Sequence, residues 1–378
     1  MTDQLRVLSI FGTRPEAVKM APVVKALAAE NSIESRICVT AQHREMLDQV
    51  LGLFSIHADI DLNLMRPNQS LAKLTASILT HLEPVLKDEK PHWVLVQGDT
   101  TTVMATALAA FYQGIRVGHV EAGLRTGDKR QPFPEEINRH IASVIADLHF
   151  APTERSRNNL LAEGVEEWRI KVTGNTVIDA LHQISETPMP EEVTRWLFEW
   201  GISTGGRRLI LVTAHRRENF GEPIEHICAA LKQLSERYNG KISIAYPVHL
   251  NPNIQNPVRR LLGNVPGIYL LPPLEYISLV HLQKQAAVVL TDSGGIQEEA
   301  PAFGKPTLVL REKTERPEGV TAGVLRLVGT DPGRIVAETA RLLDDAVAYN
   351  EMAHASNPFG DGHASERIVK ALLDYQER

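Results

Sequence analysis

At 378 residues with a formal net charge of −6 and 43% hydrophobic residues, the chain is too long for one ordinary hydrophobic core and reads as two domains of about 150–200 residues each. The acidic balance provides no basic footprint, so no nucleic-acid partner is expected. Cys38 and Cys228 each lie inside an apolar run, RICVT and EHICAAL, which suits buried thiols in a reducing compartment rather than a disulfide or zinc framework.

The first apolar run, LRVLSIF, is too short for a secretory signal or a membrane span. No basic amphipathic stretch, fixed-period repeat or low-complexity tract follows, so a cytoplasmic protein without membrane contact is expected. The first half alternates β-rich runs with helical stretches: LRVLSIF then 17–30, SRICVT then 44–53, WVLVQ then 101–112, RVGHVE then 135–146. Continuous apolar strands between amphipathic helices signify βαβ units and a parallel sheet covered on both faces. The second half repeats the pattern with RLILVT, KISIAY, IYLL, AAVVLT and PTLVL. The fold class is therefore α/β, with two doubly wound Rossmann-like domains.

Residues 185–206, with the breakers of TPMPEE and the turn-forming ISTGGRR, mark the boundary between a first domain at 1–184 and a second at 185–361. A last helical pattern at 365–376 follows NPFGDGHAS. It either completes the second domain or crosses back to the first.

Open parallel sheets bind ligands at the carboxyl ends of their strands, so the strand-to-helix loops are where chemistry is sought. After LRVLSIF comes Gly12-Thr13-Arg14-Pro15-Glu16, with Lys19 just inside the helix. A glycine turn opening a helix, with Arg and Lys beside it, suits an anion; it is neither G-x-G-x-x-G nor a Walker A loop, so no nicotinamide cofactor is supported. Strand WVLVQ ends in Gly98-Asp99-Thr100, where Asp99 either caps the next helix or acts chemically. RVGHVE ends at Glu121, and FPEEINR supplies Glu135 and Glu136. Three carboxylates projecting at one sheet edge would have their pKa values driven apart for acid/base work.

In the second half, RLILVT leads into His215-Arg216-Arg217, a phosphate-binding or proton-handling cluster. AAVVLT leads into Asp292-Ser293-Gly294-Gly295, where backbone N–H groups at a helix start can approach a phosphate, with Glu299 further along to accept from ribose hydroxyls. Arg316 follows PTLVL. No HExxH, paired CxxC or EF-hand loop occurs, and the 14 histidines do not gather at ligand spacing, so no metal is expected.

Together FGTRPE, GDTTT, EAGLRT, FPEEINR, TAHRREN, TDSGGIQEEAP and TERPE, in this order, resemble the bacterial non-hydrolysing UDP-N-acetylglucosamine 2-epimerase family over nearly the whole chain. The resemblance implies a GT-B architecture with its active site in the interdomain cleft, and a C-terminal helix, 362–378, packing back on the first domain. It also implies a homodimer, no organic cofactor, and reversible conversion of UDP-GlcNAc to UDP-ManNAc. Carried over by motif, Asp99, Glu121 and Glu135 match the family's catalytic carboxylates. Arg14, Lys19, His215, Ser293, Gly294, Gly295, Glu299 and Arg316 match its UDP-binding positions, with His215 also counted as catalytic and Asp99 and Glu121 as touching substrate. Leu274 and Leu279 stand at nucleoside positions where some members carry Gln and Phe. Gln42, Glu45, Glu136, Arg216 and His249 resemble an activating UDP-GlcNAc site found in some members, with Glu45 where relatives carry Gln. A hydrolysing epimerase and a GT-B glycosyltransferase are the alternative readings.

Overall fold

The computed structural model describes residues 4–40, 44–64, 66 and 69–375. Two compact units divide the chain: unit 1 comprises Met1–Ala180 and Gly360–Arg378, and unit 2 comprises Leu181–Phe359.

Unit 1 opens with β1 (Leu5–Phe11), α1 (Arg14–Ala29), β2 (Ile33–Val39), α2 (Arg44–Leu53), β3 (Ile60–Asp61) and α3 (Leu71–Glu89). It continues with β4 (Trp93–Gln97), α4 (Thr101–Tyr112), β5 (Arg116–Val120), α5 (Glu135–Ile145), β6 (Leu148–Ala151), α6 (Glu154–Ala162) and β7 (Ile170–Val172). Helix α7 (Thr176–Ser185) leads out of it. The sheet is parallel with the order β3-β2-β1-β4-β5-β6-β7. Sequence order reverses between β1 and β4, the switch point where doubly wound sheets place their ligands. Every residue of WVLVQ in β4 is buried, as expected of a strand covered on both faces. Helices α3, α4 and α5 pack in succession over one face, and Leu74, Ile78, Leu82 and Leu86 of α3 bury a stripe at four-residue spacing against Val94, Val96 and the alanines of α4.

Unit 2 runs α8 (Glu191–Glu199), α9 (Ile202–Gly205), β8 (Arg208–Thr213), α10 (Glu222–Tyr238), β9 (Ile242–Pro247), α11 (Pro252–Leu262), β10 (Ile268–Leu271) and α12 (Tyr276–Gln285). Then come β11 (Ala286–Thr291), α13 (Gly294–Ala302), β12 (Thr307–Val309), α14 (Pro317–Thr321), β13 (Leu325–Leu327), α15 (Pro332–Asp344) and α16 (Ala346–Ala353). Its parallel sheet has the order β10-β9-β8-β11-β12-β13, so the reversal falls between β8 and β11. Helix α10 packs on α11 and α15, and α12 on α8.

The last helix, α17 (Ala364–Leu373), belongs to unit 1 and packs on α1. Asp179 of α7 caps it, accepting from Ser365 N at 2.7 Å and Ala364 N at 3.2 Å, which satisfies two N–H groups a helix start leaves open. Tyr375 lies edge-on to Trp93, with the Arg116 guanidinium over both rings. Cys38 and Cys228 are buried thiols, one in each unit. Among the described residues no helix is long and apolar enough to cross a membrane.

Candidate active site

Strand β1 delivers Gly12 and Thr13 to the start of α1, where Thr13 is the N-cap and Glu16 completes a capping box. Glu16 is almost fully buried. Its Oε2 accepts from Gly12 N (2.8 Å) and Thr13 N (2.7 Å), and its Oε1 accepts from Thr100 Oγ1 (2.5 Å). Burial pushes the Glu16 carboxyl pKa up, and these donors draw it back only in part. The N–H groups that the glycine turn was expected to offer an external anion are thus engaged by the protein's own carboxylate. Phosphate binding at this turn would then fall to Arg14, the half-buried first residue of α1. Gly12 is fixed by space: a Cβ there would fall 2.0 Å from Thr40 Oγ1.

Asp99 and Glu121 stand at the C-terminal ends of the neighbouring strands β4 and β5. Asp99 is not the helix cap; Thr100 is, accepting from Val103 N. Arg139 Nη2 instead lies 2.5 Å from Asp99 Oδ2, and Asn138 Nδ2 donates to Asp99 O at 3.0 Å. The FPEEINR segment therefore grips Asp99 from α5. Lys19 Nζ lies 2.7 and 2.5 Å from the two oxygens of Glu121, and Gln97 Nε2 donates to Oε2. The Glu121 backbone has φ 64°, a left-handed conformation that costs a non-glycine residue about 1–3 kcal/mol and concentrates at functional sites. Behind both strand ends His119 is wholly buried and donates from Nε2 to Gly98 O at 2.7 Å.

The remaining two carboxylates of this cluster have different surroundings. Glu135 is the half-buried first residue of α5, and its carboxylate makes no hydrogen bond or ion pair among the described residues. Glu136 is 1% exposed. Its carboxylate accepts from Thr126 N (3.1 Å) and Gly127 N (3.1 Å) and lies 3.3 Å from Arg139 Nη1. Glu136 thereby fixes both the EAGLRT loop and the arginine that faces Asp99.

In unit 2 the organising group is Asp292, fully buried between β11 and α13. Its Oδ2 accepts from His215 N (2.8 Å), Arg216 N (2.8 Å) and Asn219 Nδ2 (2.9 Å), and its Oδ1 lies 3.0 Å from His215 Nδ1. Burial alone would raise its pKa, but the His215 ring, the Arg216 N–H and Asn219 outweigh it and hold the carboxyl below its ordinary range. With Nδ1 engaged, the Nε2 edge of His215 is the one available to a ligand. Ser293 is the N-cap of α13 but its side chain makes no capping bond, so the helix start offers N–H groups and its positive dipole end. A Cβ on Gly294 would meet Arg216 Nη2 at 3.4 Å and Arg316 Nη2 at 3.9 Å; two guanidiniums converge there. The resulting pocket, about 580 Å³, is lined by His215, Arg216, Arg217, Glu218, His249 and Ser293 to Gly295.

The structure thus gathers the sequence-derived residues into two groups. In unit 1, Asp99 and Glu121 end adjacent strands, Lys19 pairs with Glu121, and Glu135 begins the helix whose Asn138 and Arg139 hold Asp99. In unit 2, His215, Ser293, Gly294 and Gly295 share a pocket with Arg216 and His249, and Arg316 reaches the same helix start. Glu299 lies one turn deeper, 6% exposed, while Leu274 and Leu279 pack half-buried on the apolar cluster containing Ile296 and Ala300. Gln42 and the side chain of Glu45 lie outside the described residues. Sequence reasoning did not single out Glu16, Gln97, Arg139 or Asp292. Among the described residues no group of three or more His, Cys, Asp or Glu side chains is placed to hold a metal ion.

Carboxylates set against cations at the edge of one Rossmann-like sheet, and a helix start crowned by arginines on the other, define a two-domain α/β enzyme acting on a phosphate-bearing ligand. Known proteins narrow this class. The family model for UDP-N-acetylglucosamine 2-epimerase matches residues 25–373. The UDP-N-acetylglucosamine 2-epimerase of Salmonella typhimurium is 54% identical over 374 residues, covering 98% of this chain and 99% of that one. The Escherichia coli K12 enzyme of the same name is 55% identical over 370 residues, 97% and 98% of the two chains. The crystal structure of UDP-GlcNAc 2-epimerase from Neisseria meningitidis bound to UDP-GlcNAc superposes with a TM-score of 0.84 at 50% identity, covering 98% of this chain and 100% of that one. The chain belongs to the UDP-N-acetylglucosamine 2-epimerase family.

Proposed function

We propose that the enzyme interconverts UDP-GlcNAc and UDP-ManNAc without net hydrolysis, by eliminating UDP and adding it back through 2-acetamidoglucal. Carbon 2 of the sugar has no adjacent carbonyl, so removing its proton alone would leave a poorly stabilised carbanion. Elimination avoids this. A carboxylate takes the carbon 2 proton, the bond from carbon 1 to the UDP oxygen breaks with its electron pair, and a double bond forms between carbons 1 and 2. UDP then re-adds at carbon 1 while a carboxylic acid on the opposite face delivers a proton to carbon 2.

The observation that carries this reading is the differentiated carboxylate cluster: Glu121 held by Lys19 and Gln97 on a left-handed backbone, Asp99 held by Arg139, and Glu135 close by on α5. Inversion at carbon 2 needs more than one positioned acid/base group, and the contacts of Arg139 with Asp99 and of Lys19 and Gln97 with Glu121 fix where two of those groups sit. In this reading His215, Arg216, Arg316 and the α13 N-terminus receive the leaving pyrophosphate, with Arg14 contributing, which lowers the barrier by meeting charge where it develops. Binding of UDP-GlcNAc by the Neisseria relative supports the substrate. A second, activating UDP-GlcNAc beside the first would use Arg216 and His249, with Glu136 acting through the loop it fixes.

A homodimer completes the reading. Ile137, Ile141 and Val144 form an exposed stripe along α5, beside exposed Phe111 and Tyr112 at the end of α4, and such a face suits a second copy. A monomeric mass by light scattering would overturn it. Cytosolic residence fits the two thiols, whose pKa values burial pushes up to about 12.

The reaction is tested by incubating the enzyme with UDP-GlcNAc in D2O and following products by NMR. The expected outcome is a mixture of both epimers carrying deuterium at carbon 2. Retention of the original hydrogen would refute elimination; accumulation of free ManNAc and UDP would make the enzyme a hydrolase, and no change without an added acceptor would make it a transferase.

A further inference from the structure

Beside pocket-lining Gly295, in the second turn of α13, the Glu299 carboxylate is held by one neutral donor from α12 and approached by a second. Gln283 Nε2 donates to Oε2 at 3.0 Å, and the Tyr276 hydroxyl reaches Oε1 at 3.5 Å. The two donors are seven residues apart, two helical turns, and so share one face. Gln283 is 0% exposed, yet its Oε1 has no hydrogen-bond partner among the described residues. A buried amide with an idle acceptor is an expensive choice where an apolar side chain of equal volume would pack without that penalty. What Gln283 supplies in return is its N–H on Glu299. On the same helix and the loop before it, Leu279 and Leu274 pack against the cluster of Ile296 and Ala300. An apolar wall beside one fixed carboxylate is the combination that a nucleoside needs: surface for the base and an acceptor for vicinal hydroxyls.

We infer that Gln283 and Tyr276 are positioning residues that lock the Glu299 carboxylate towards the ribose of UDP, and so set a preference for ribonucleotide over deoxyribonucleotide. This rests on the UDP assignment above. A carboxylate held in this way loses little further freedom when hydroxyls dock on it, whereas an unheld one must be ordered by the ligand. Both residues act through Glu299 and not through the carboxylates assigned to the reacting sugar, so their loss should act on ligand affinity and leave turnover at saturation alone.

The test is calorimetric titration of the full-length enzyme with UDP and with 2′-deoxy-UDP, beside steady-state kinetics. The wild type should prefer UDP by roughly ten- to a hundredfold, the range of one hydrogen bond to a charged acceptor. Gln283→Met, which keeps the volume and removes both polar atoms, should shrink that preference by about fivefold or more through weaker UDP binding. Its KM should rise while kcat stays within about twofold. An unchanged preference in a variant with the parent's Tm overturns the inference. If Gln283→Met does not fold, Tyr276→Phe must show the same loss of preference, and an unchanged preference there overturns it equally. A wild type that binds UDP and 2′-deoxy-UDP alike refutes the ribose contact while sparing UDP as ligand; a wild type that binds neither refutes the UDP assignment itself and the inference with it.

Discussion

Acidification should weaken unit 1 through two buried histidines. The register of β5 and β6 sets His119 beside His149, and neither ring is exposed. Burial pushes His119 down to about 4 and His149 to about 3. Among the described residues His119 Nδ1 and both ring nitrogens of His149 lack a well-formed hydrogen bond, and the Ala146 backbone beside His149 offsets burial only in small part, so an added proton is poorly accommodated. Because the folded pKa values lie below the unfolded value of 6.5, the unfolded chain binds more protons, and stability falls as pH drops from 6.5 towards the folded values. Between pH 7.5 and pH 5 each ring should withdraw about 2 kcal/mol, from 1.5 units at 1.36 kcal/mol per unit, or about 4 kcal/mol together. That is a large part of a typical 5–15 kcal/mol. Glu16, raised by burial, acts in the opposite sense, and a comparison of variants removes its contribution. His149→Leu should lose about 2 kcal/mol less than the wild type over the same interval. Hydrogen exchange of β5 and β6 amides, corrected for the intrinsic pH dependence of exchange, gives the opening free energy at each pH. Equal losses in variant and parent would refute the reasoning.

Three further outcomes are expected. Glu121→Gln should lower kcat by about 10²–10⁴-fold, roughly 3–5 kcal/mol of barrier, while UDP affinity by calorimetry changes little; near-normal turnover would remove Glu121 from the chemistry. Arg14→Ala should weaken UDP binding by about 1.5–3 kcal/mol, and parental affinity in the same titration would contradict a phosphate role. Gly123→Ala should cost on the order of 2–3 kcal/mol and lower the Tm, because Gly123 has φ 88° and a Cβ would meet Ser156 O at 2.3 Å; an unchanged melting curve would show that the loop yields.

The strands that carry the site were legible because they are covered on both faces and so read as unbroken apolar runs; WVLVQ and RLILVT each coincide with a strand, β4 and β8. The helices at 44–53 and 101–112 match α2 and α4 to the residue. The first helix starts at Arg14 rather than at 17, because the Thr13 cap and Pro15 open it before its apolar stripe begins. Helix α3 and strand β6 are not evident in the sequence: β6, LHFA, is a four-residue run whose His149 interrupts the apolar character that makes the equally short IYLL of β10 readable. At the site the loops were visible as clusters of chemistry-bearing residues at strand ends, but pairings were not. Lys19 meets Glu121 across 102 residues, and Glu16 reaches Thr100 across 84. Whether a carboxylate serves a ligand or its own backbone is decided by such contacts, and for Glu16, Glu136 and Asp292 the backbone takes at least two bonds each.

The return of residues 360–375 to unit 1 makes unit 2 an insertion within it. During translation, Asp179 is synthesised before any of unit 2, but the N–H groups it caps are made only after all of it. At about 5–20 residues per second, roughly 10–35 s separate the two. For that interval the patch on α1 that α17 will cover, and the ring face of Trp93 that meets Tyr375, lie open on the ribosome. The first half of the enzyme is therefore the last to be finished, and a stop codon at position 360, directly after the last residue of unit 2, would leave unit 2 whole and damage the carboxylate half.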